Sequence, residues 1–140
     1  MQYKSDWEAA KKRLSAFWEH ELYDRCCINV RAGDEKLGQL MDEFWEKNNR
    51  DIRLVRTDPQ RLIEQNRIMF EHTYFGGEAL PIANLDLGAS GHAGFFKGAN
   101  YQISDTVWFF PSLEDLNQLE FDENSYLYQK TLEHNQTDEN

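Results

Sequence analysis

Apolar side chains recur at three- and four-residue steps through the first half of the chain. Trp7, Ala10, Leu14, Phe17, Trp18 and Leu22 lay one apolar stripe along a helix. Ser5 with Glu8 supplies an S-x-x-E capping box ahead of it, and Tyr23-Asp24-Arg25 ends it. Cys27 to Ala32 then alternates, with Ile28, Val30 and Ala32 on one face and Asn29 and Arg31 on the other. This predicts a short strand closed by Gly33-Asp34. Leu37, Leu40, Met41, Phe44 and Trp45 mark a second amphipathic helix that fades at Asn48-Asn49. Asp51 to Arg56 carries no decisive pattern. Thr57-Asp58-Pro59 is a helix start, a capping residue followed by proline in the first turn. Leu62, Ile63, Asn66, Met69, Phe70 and Thr73 continue that helix until Gly76-Gly77.

The second half changes character. Leu80 to Leu87 is apolar and nearly free of charge, as a buried strand is. Gly88, Gly91, Gly94 and Gly98 follow closely and predict a loop leading into a short helix. Val107-Trp108-Phe109-Phe110 reads as a second buried strand halted by Pro111. Ser112 with Asp115 caps a short turn, and Asn124 caps a last helix through Tyr126, Leu127 and Leu132. The expected organisation is a single α/β domain over 1–132. It has a helical lead with one short strand (1–76), then strands and helices (77–132), then a frayed polar tail (133–140). So few strands leave sheet edges unpaired, and the Leu80–Leu87 run calls for cover on both faces. The pattern therefore reads as part of something larger.

A chain of 140 residues suits one domain. Aromatics at 14% exclude a disordered chain despite a mean hydropathy of -0.78. The formal net charge of -10, from 25 acidic against 15 basic residues, argues against nucleic acid and against an anionic membrane surface as partners. No run approaches ~20 apolar residues, and Met1 to Glu8 is too polar for a signal peptide, so a cytoplasmic protein is expected. Cys26 and Cys27 are adjacent, and neighbours in a strand point to opposite faces, which does not suit a disulfide between them. Two free thiols fit a reducing cytosol.

Several side chains carry candidate chemistry. Asp86 and His92 flank the glycine-rich turn; Asp86 is placed to accept a ligand hydrogen bond, and His92 to bind a ligand or move a proton near neutral pH. The alternative is a turn-capping aspartate and a solvated histidine. Asn84 and Asp105 stand at strand ends, with turn and cap chemistry as the alternative. Tyr74 and Trp108 suit an apolar site for a flat ligand, or else ordinary core packing. Arg50, Arg53, Arg56, Arg61 and Arg67 form a basic run able to grip carboxylates or phosphates. The alternative is a solvated face paired with Asp51, Asp58, Glu64 and Glu71. His20, His72, His92 and His134 are scattered without H-x-x-x-H spacing, and no Cys-x-x-Cys exists, so no metal site is expected in this chain. No phosphate loop or G-x-G-x-x-G appears, and Gly88-Ala89-Ser90-Gly91 departs from a G-x-S-x-G elbow by one residue.

Four runs occur in a telling order: Tyr74-Phe75-Gly76-Gly77-Glu78-Ala79-Leu80-Pro81, Asp86-Leu87-Gly88, Ser104-Asp105-Thr106-Val107-Trp108-Phe109, and Phe121-Asp122-Glu123-Asn124. Together they resemble the uroporphyrinogen-decarboxylase-like proteins, in the branch near the corrinoid-dependent methyltransferases. The resemblance spans Trp7 to Leu132 and is specific over Tyr74 to Asn124. It implies a TIM-type (β/α)₈ barrel of ~250 residues, of which this chain holds the helical lead and first strands. It would form one wall of a small-ligand pocket, with Asp86, His92, Asn84, Tyr74 and Trp108 as candidate lining, and would not be catalytic alone.

Full-length relatives of the methyltransferase kind use a His and Cys zinc site and a corrinoid protein partner; no position here matches that site. The arginine-containing motif of the decarboxylase proper is also missing. The implied partners are a small molecule, the C-terminal part of a barrel, or a second copy forming a homodimer. The rival expectation is a truncated, non-enzymatic relative that acts as a binding or docking module.

Overall fold

The computed structural model describes residues 1–83, 91–104 and 106–137. Two compact units emerge, one of residues 1–44 and 65–83, the other of 45–64 and 84–140.

In the first unit, helix α1 runs from Trp7 to Trp18 and turns Ala10 and Ala16 inward. Its N-cap is Asp6, which makes no side-chain cap bond, so the Ser5–Glu8 capping box does not form. Asp6 instead meets Lys4 Nζ at 2.9 Å. The helix stops short of the expected Tyr23–Arg25. His20 adopts a left-handed φ of 60°, its N–H donates to Phe17 O, and Glu21 N–H donates back to Ala16 O. This Schellman-type closure satisfies the last carbonyls and ends the helix.

Strand β1 (Asn29–Gly33) pairs antiparallel with β2 (Thr73–Gly77), from Asn29 opposite Gly77 to Gly33 opposite Thr73. Helix α2 (Leu37–Lys47) begins after Asp34, whose Oδ1 accepts from Lys36 N and Leu37 N. The expected continuation of the third helix to Gly76-Gly77 is corrected here: it ends at Glu71, and Thr73–Gly77 is a strand. Pairing with β1 overrides the helical spacing, and Asp34 N–H locks the corner by donating to His72 O at 2.9 Å. The interior gathers Ala10, Ala16, Phe44, Phe75 and Ala79. Tyr3 meets Phe70 at a tilt, and Phe70 meets Phe75 edge-on.

In the second unit, the undecided Asp51–Arg56 segment is helix α3 (Ile52–Thr57), capped by Asp51 accepting from Leu54 N at 2.9 Å. Asp58 then opens α4 (Pro59–Glu71) by accepting from Gln60 N and Arg61 N. Strands β3 (Asn100–Ile103) and β4 (Val107–Phe110) form an antiparallel hairpin. A 3₁₀ turn at Gly91–Phe95 lies within the glycine-rich segment expected to lead into a short helix. Another at Leu116–Gln118 is capped by Asp115. Helix α5 (Tyr126–Thr137) is capped by Ser125, whose Oγ accepts from Tyr128 N, rather than by Asn124. Buried Val107 and Leu127 form the core, with Phe95, Tyr101, Ile103 and Phe109 packed on them.

The expected Leu80–Leu87 strand is not formed over its described part. Leu80 to Ala83 has no regular structure. Pro81 brings no N–H to a ladder, Ile82 N–H folds back to Leu80 O, and Ile82 is exposed. Residues 84–87 lie outside the described residues.

The fold is mixed α/β, with five α-helices and two two-stranded antiparallel sheets among the described residues. Those residues contain no closed barrel, and neighbouring barrel strands would pair parallel where these pair antiparallel.

Candidate functional site

The most elaborate polar arrangement is built on Glu78, which follows β2 and is 6% exposed. Gly77 precedes it at φ 62°, a conformation glycine adopts readily; a Cβ there would stand 2.5 Å from the Ile28 carbonyl oxygen. This close approach lets Glu78 and Ile28 bond twice: Glu78 N–H donates to Ile28 O at 2.7 Å, and Ile28 N–H donates to Glu78 Oε2 at 2.8 Å. Arg25 grips the carboxylate in a bidentate fork, Nη1 to Oε2 and Nη2 to Oε1, both at 2.9 Å. Arg13 adds Nη1 to Oε1 at 3.3 Å. Arg13 in turn holds Asp24 by a second fork, Nε to Oδ1 at 2.7 Å and Nη2 to Oδ2 at 2.8 Å.

Burial pushes the Glu78 carboxyl up, but the Arg25 hydrogen bonds, the Ile28 N–H and Arg13 outweigh it and hold the group below the usual carboxylate range. The hydrogen bond from Arg13 likewise holds Asp24 low. Both Glu78 oxygens are occupied by two donors each, so no lone pair remains for a base. The group is a clamp that pins the segment after α1 onto the end of β2.

Beside the clamp lies a cavity of about 220 Å³, lined by Arg13, Phe17, Glu21, Leu22, Tyr23, Arg25, Cys26 and Cys27. Cys27 Sγ donates to Arg13 O at 3.5 Å. The expected strand start at Cys27 is corrected: β1 begins at Asn29, so strand alternation does not govern the two cysteines, and both residues line this one cavity.

Of the residues singled out from the sequence, Asp86, Asn84 and Asp105 lie outside the described residues. Tyr74 belongs to the first unit, on β2, and is 68% exposed. Trp108 belongs to the second, on β4, and is 55% exposed. Neither is a core residue: Val107 and Phe109 take the inner face of β4, leaving Trp108 and Phe110 on the outer one. His92 lies in the Gly91–Phe95 turn, exposed, with its ring edge-on to Phe95 at 5.3 Å.

The arginine run is divided. Arg50 pairs with Glu46 and Arg61 with Asp58, while Arg53 lies over the Tyr126 ring at 5.0 Å. Arg67 belongs to the other unit. Asp51 is spent on the α3 cap, and Glu64 pairs with Lys47.

Among the described residues, no three His, Cys, Asp or Glu side chains gather to hold a metal ion. No helix of those residues is long and apolar enough to cross a membrane. No family model, curated protein or solved structure matches the chain.

Proposed function

We propose that the chain is an N-terminal segment of a uroporphyrinogen-decarboxylase-like protein, from the branch near corrinoid-dependent methyl transfer. It supplies one wall of a small-ligand pocket and does not catalyse alone. The observation that carries this reading is the ordered series of runs from Tyr74 to Asn124. The outward placement of Tyr74 and Trp108 supports it, because exposed aromatic rings suit a surface that more protein or a flat ligand covers. The open edges of both two-stranded sheets support it as well, since isolated pairs are rarely left bare. On this reading the parallel strands of a (β/α)₈ barrel come from outside the described residues.

The zinc that the resemblance associates with full-length methyltransferase relatives does not fit the described residues, where Cys26 and Cys27 have no third ligand beside them. Any such metal, and the corrinoid partner with it, would belong to another part of the protein.

A second reading rests on the same exposed aromatic and edge surfaces: a non-enzymatic module that docks on a partner or on a second copy. One experiment separates the two. The native protein is detected in extracts of its source cells with an antibody to this segment. A band at about 40 kDa, a barrel of ~250 residues plus this lead, is expected. A band at 16.6 kDa overturns the segment reading and leaves the docking module.

A further inference from the structure

Cys26 and Cys27 are the chain's only cysteines, and both residues line one cavity. Cys26 is exposed and Cys27 half-buried. The α1 side of that cavity is supplied by Arg13 and Phe17, the remainder by Glu21 to Tyr23 and Arg25 to Cys27. The guanidinium groups around it are already engaged: Arg25 and Arg13 on Glu78, and Arg13 on Asp24. An anion therefore finds no open guanidinium fork there. Besides Glu21 and Tyr23, the lining offers a visitor two adjacent cysteines, whose sulfur is soft and polarisable, and the apolar Phe17 and Leu22. The clamp holds the geometry, because Arg25 also donates to Cys26 O at 2.7 Å and Ile28 is tied to Glu78. The short segment carrying both thiols is thus fixed at both ends.

The geometry points to a vicinal dithiol site that captures a single soft, thiophilic centre of the trivalent arsenical class, with both sulfurs bonding to one atom. The chemistry balances without an oxidant. With an aryl arsenoxide, two S–H bonds and the As=O bond break, two As–S bonds form, and one water leaves; arsenic stays trivalent. This inference does not rest on the family reading above, and the outcome of either leaves the other standing.

The test uses the full chain and phenylarsine oxide as probe, read by intact mass. One arsenical per chain is expected, retained against excess 2-mercaptoethanol and released by dithiothreitol. The second thiol acts at high effective concentration, so Cys26→Ser and Cys27→Ser should each weaken retention about a hundredfold. Circular dichroism checks that both variants fold. A measurement on the unaltered chain guards against misfolding variants: the bound arsenical should protect both thiols from iodoacetamide together. Two arsenicals per chain, protection of only one thiol, or retention surviving in either folded variant would each show independent cysteines and overturn the proposal.

Discussion

The first unit encloses Lys4 and Glu78, two charged side chains, beside a modest set of alanines and phenylalanines. Lys4 Nζ reaches Asp6 and the Phe75 carbonyl, and Glu78 gathers Arg13, Arg25 and Ile28. The second unit encloses the largest fully buried side chains among the described residues, Leu127 and Val55, and closes its core with aromatic and aliphatic neighbours. A buried charge stabilises only while its partners stay in place, since losing one leaves the other stranded. An apolar core fails by degrees, with the volume removed. The two units should therefore differ in how they break.

The sharpest test is Glu78→Ala. It strips two partly exposed guanidinium groups and the Ile28 N–H of their shared acceptor, and should cost roughly 1–3 kcal/mol. Hydrogen exchange read by mass spectrometry should localise the loss to residues 1–44 and 65–83; faster exchange confined to the other unit would dissolve the contrast.

Next comes Leu127→Ala, which empties a fully buried site and should cost about 2–5 kcal/mol. Its effect should appear in β3, β4 and α5, measured by the same exchange and by thermal melting. Gly94→Ala should cost about 1–3 kcal/mol by overpacking, because its new methyl would collide with the Leu127 side chain. In a Leu127→Ala background the same change should cost much less, so a double-mutant cycle with additive values would refute the contact.

The smallest effect concerns acid. Asp34 is held below its usual range, chiefly by the hydrogen bond with His72 at 2.8 Å, although loss of hydration pushes it the other way. Glu78 is held low too. A group with a depressed folded pKa contributes stability above its unfolded value and loses it as pH falls through the folded one. The first unit should therefore loosen as pH drops below about 4, the ordinary carboxyl range. Asp34→Asn should flatten that dependence slightly. A steeper acid loss in the second unit would reverse the assignment.

Much of the framework was legible in the sequence. The stripe of α2, the Asp58-Pro59 opening of α4 and the positions of α1, β1 and the Val107–Phe110 strand follow the local pattern. Yet α1 leaves Phe17 and Trp18 of its stripe exposed, β1 buries neither of its faces, and Trp108 and Phe110 face outward where a buried strand is expected. The misreadings arise where long-range pairing decides. Thr73 carries on the α4 spacing, yet β1 captures it. Asn100–Ile103 is short and half polar, and becomes a strand because β4 lies beside it. His20 gave no glycine-like signal for the left-handed turn that ends α1. The Glu78 clamp joins Arg13, Arg25 and Glu78, far apart in sequence; its one local trace was a charged residue set between two glycines and an apolar run. That two adjacent cysteines share a cavity depends on where β1 starts, a boundary two residues from the one periodicity suggests.

The strand registers also set a timetable for folding. In the β3–β4 hairpin, Ile103 sits opposite Val107, so its ends meet almost as soon as they are made. Hairpins of that kind close in about 1–10 μs. In the other sheet Gly33 sits opposite Thr73, and that pairing must wait for a long loop to close at an entropic cost. The β3–β4 hairpin should therefore serve as an early nucleus, with substitutions there slowing folding. Substitutions around Glu78, assembled late, should chiefly hasten unfolding.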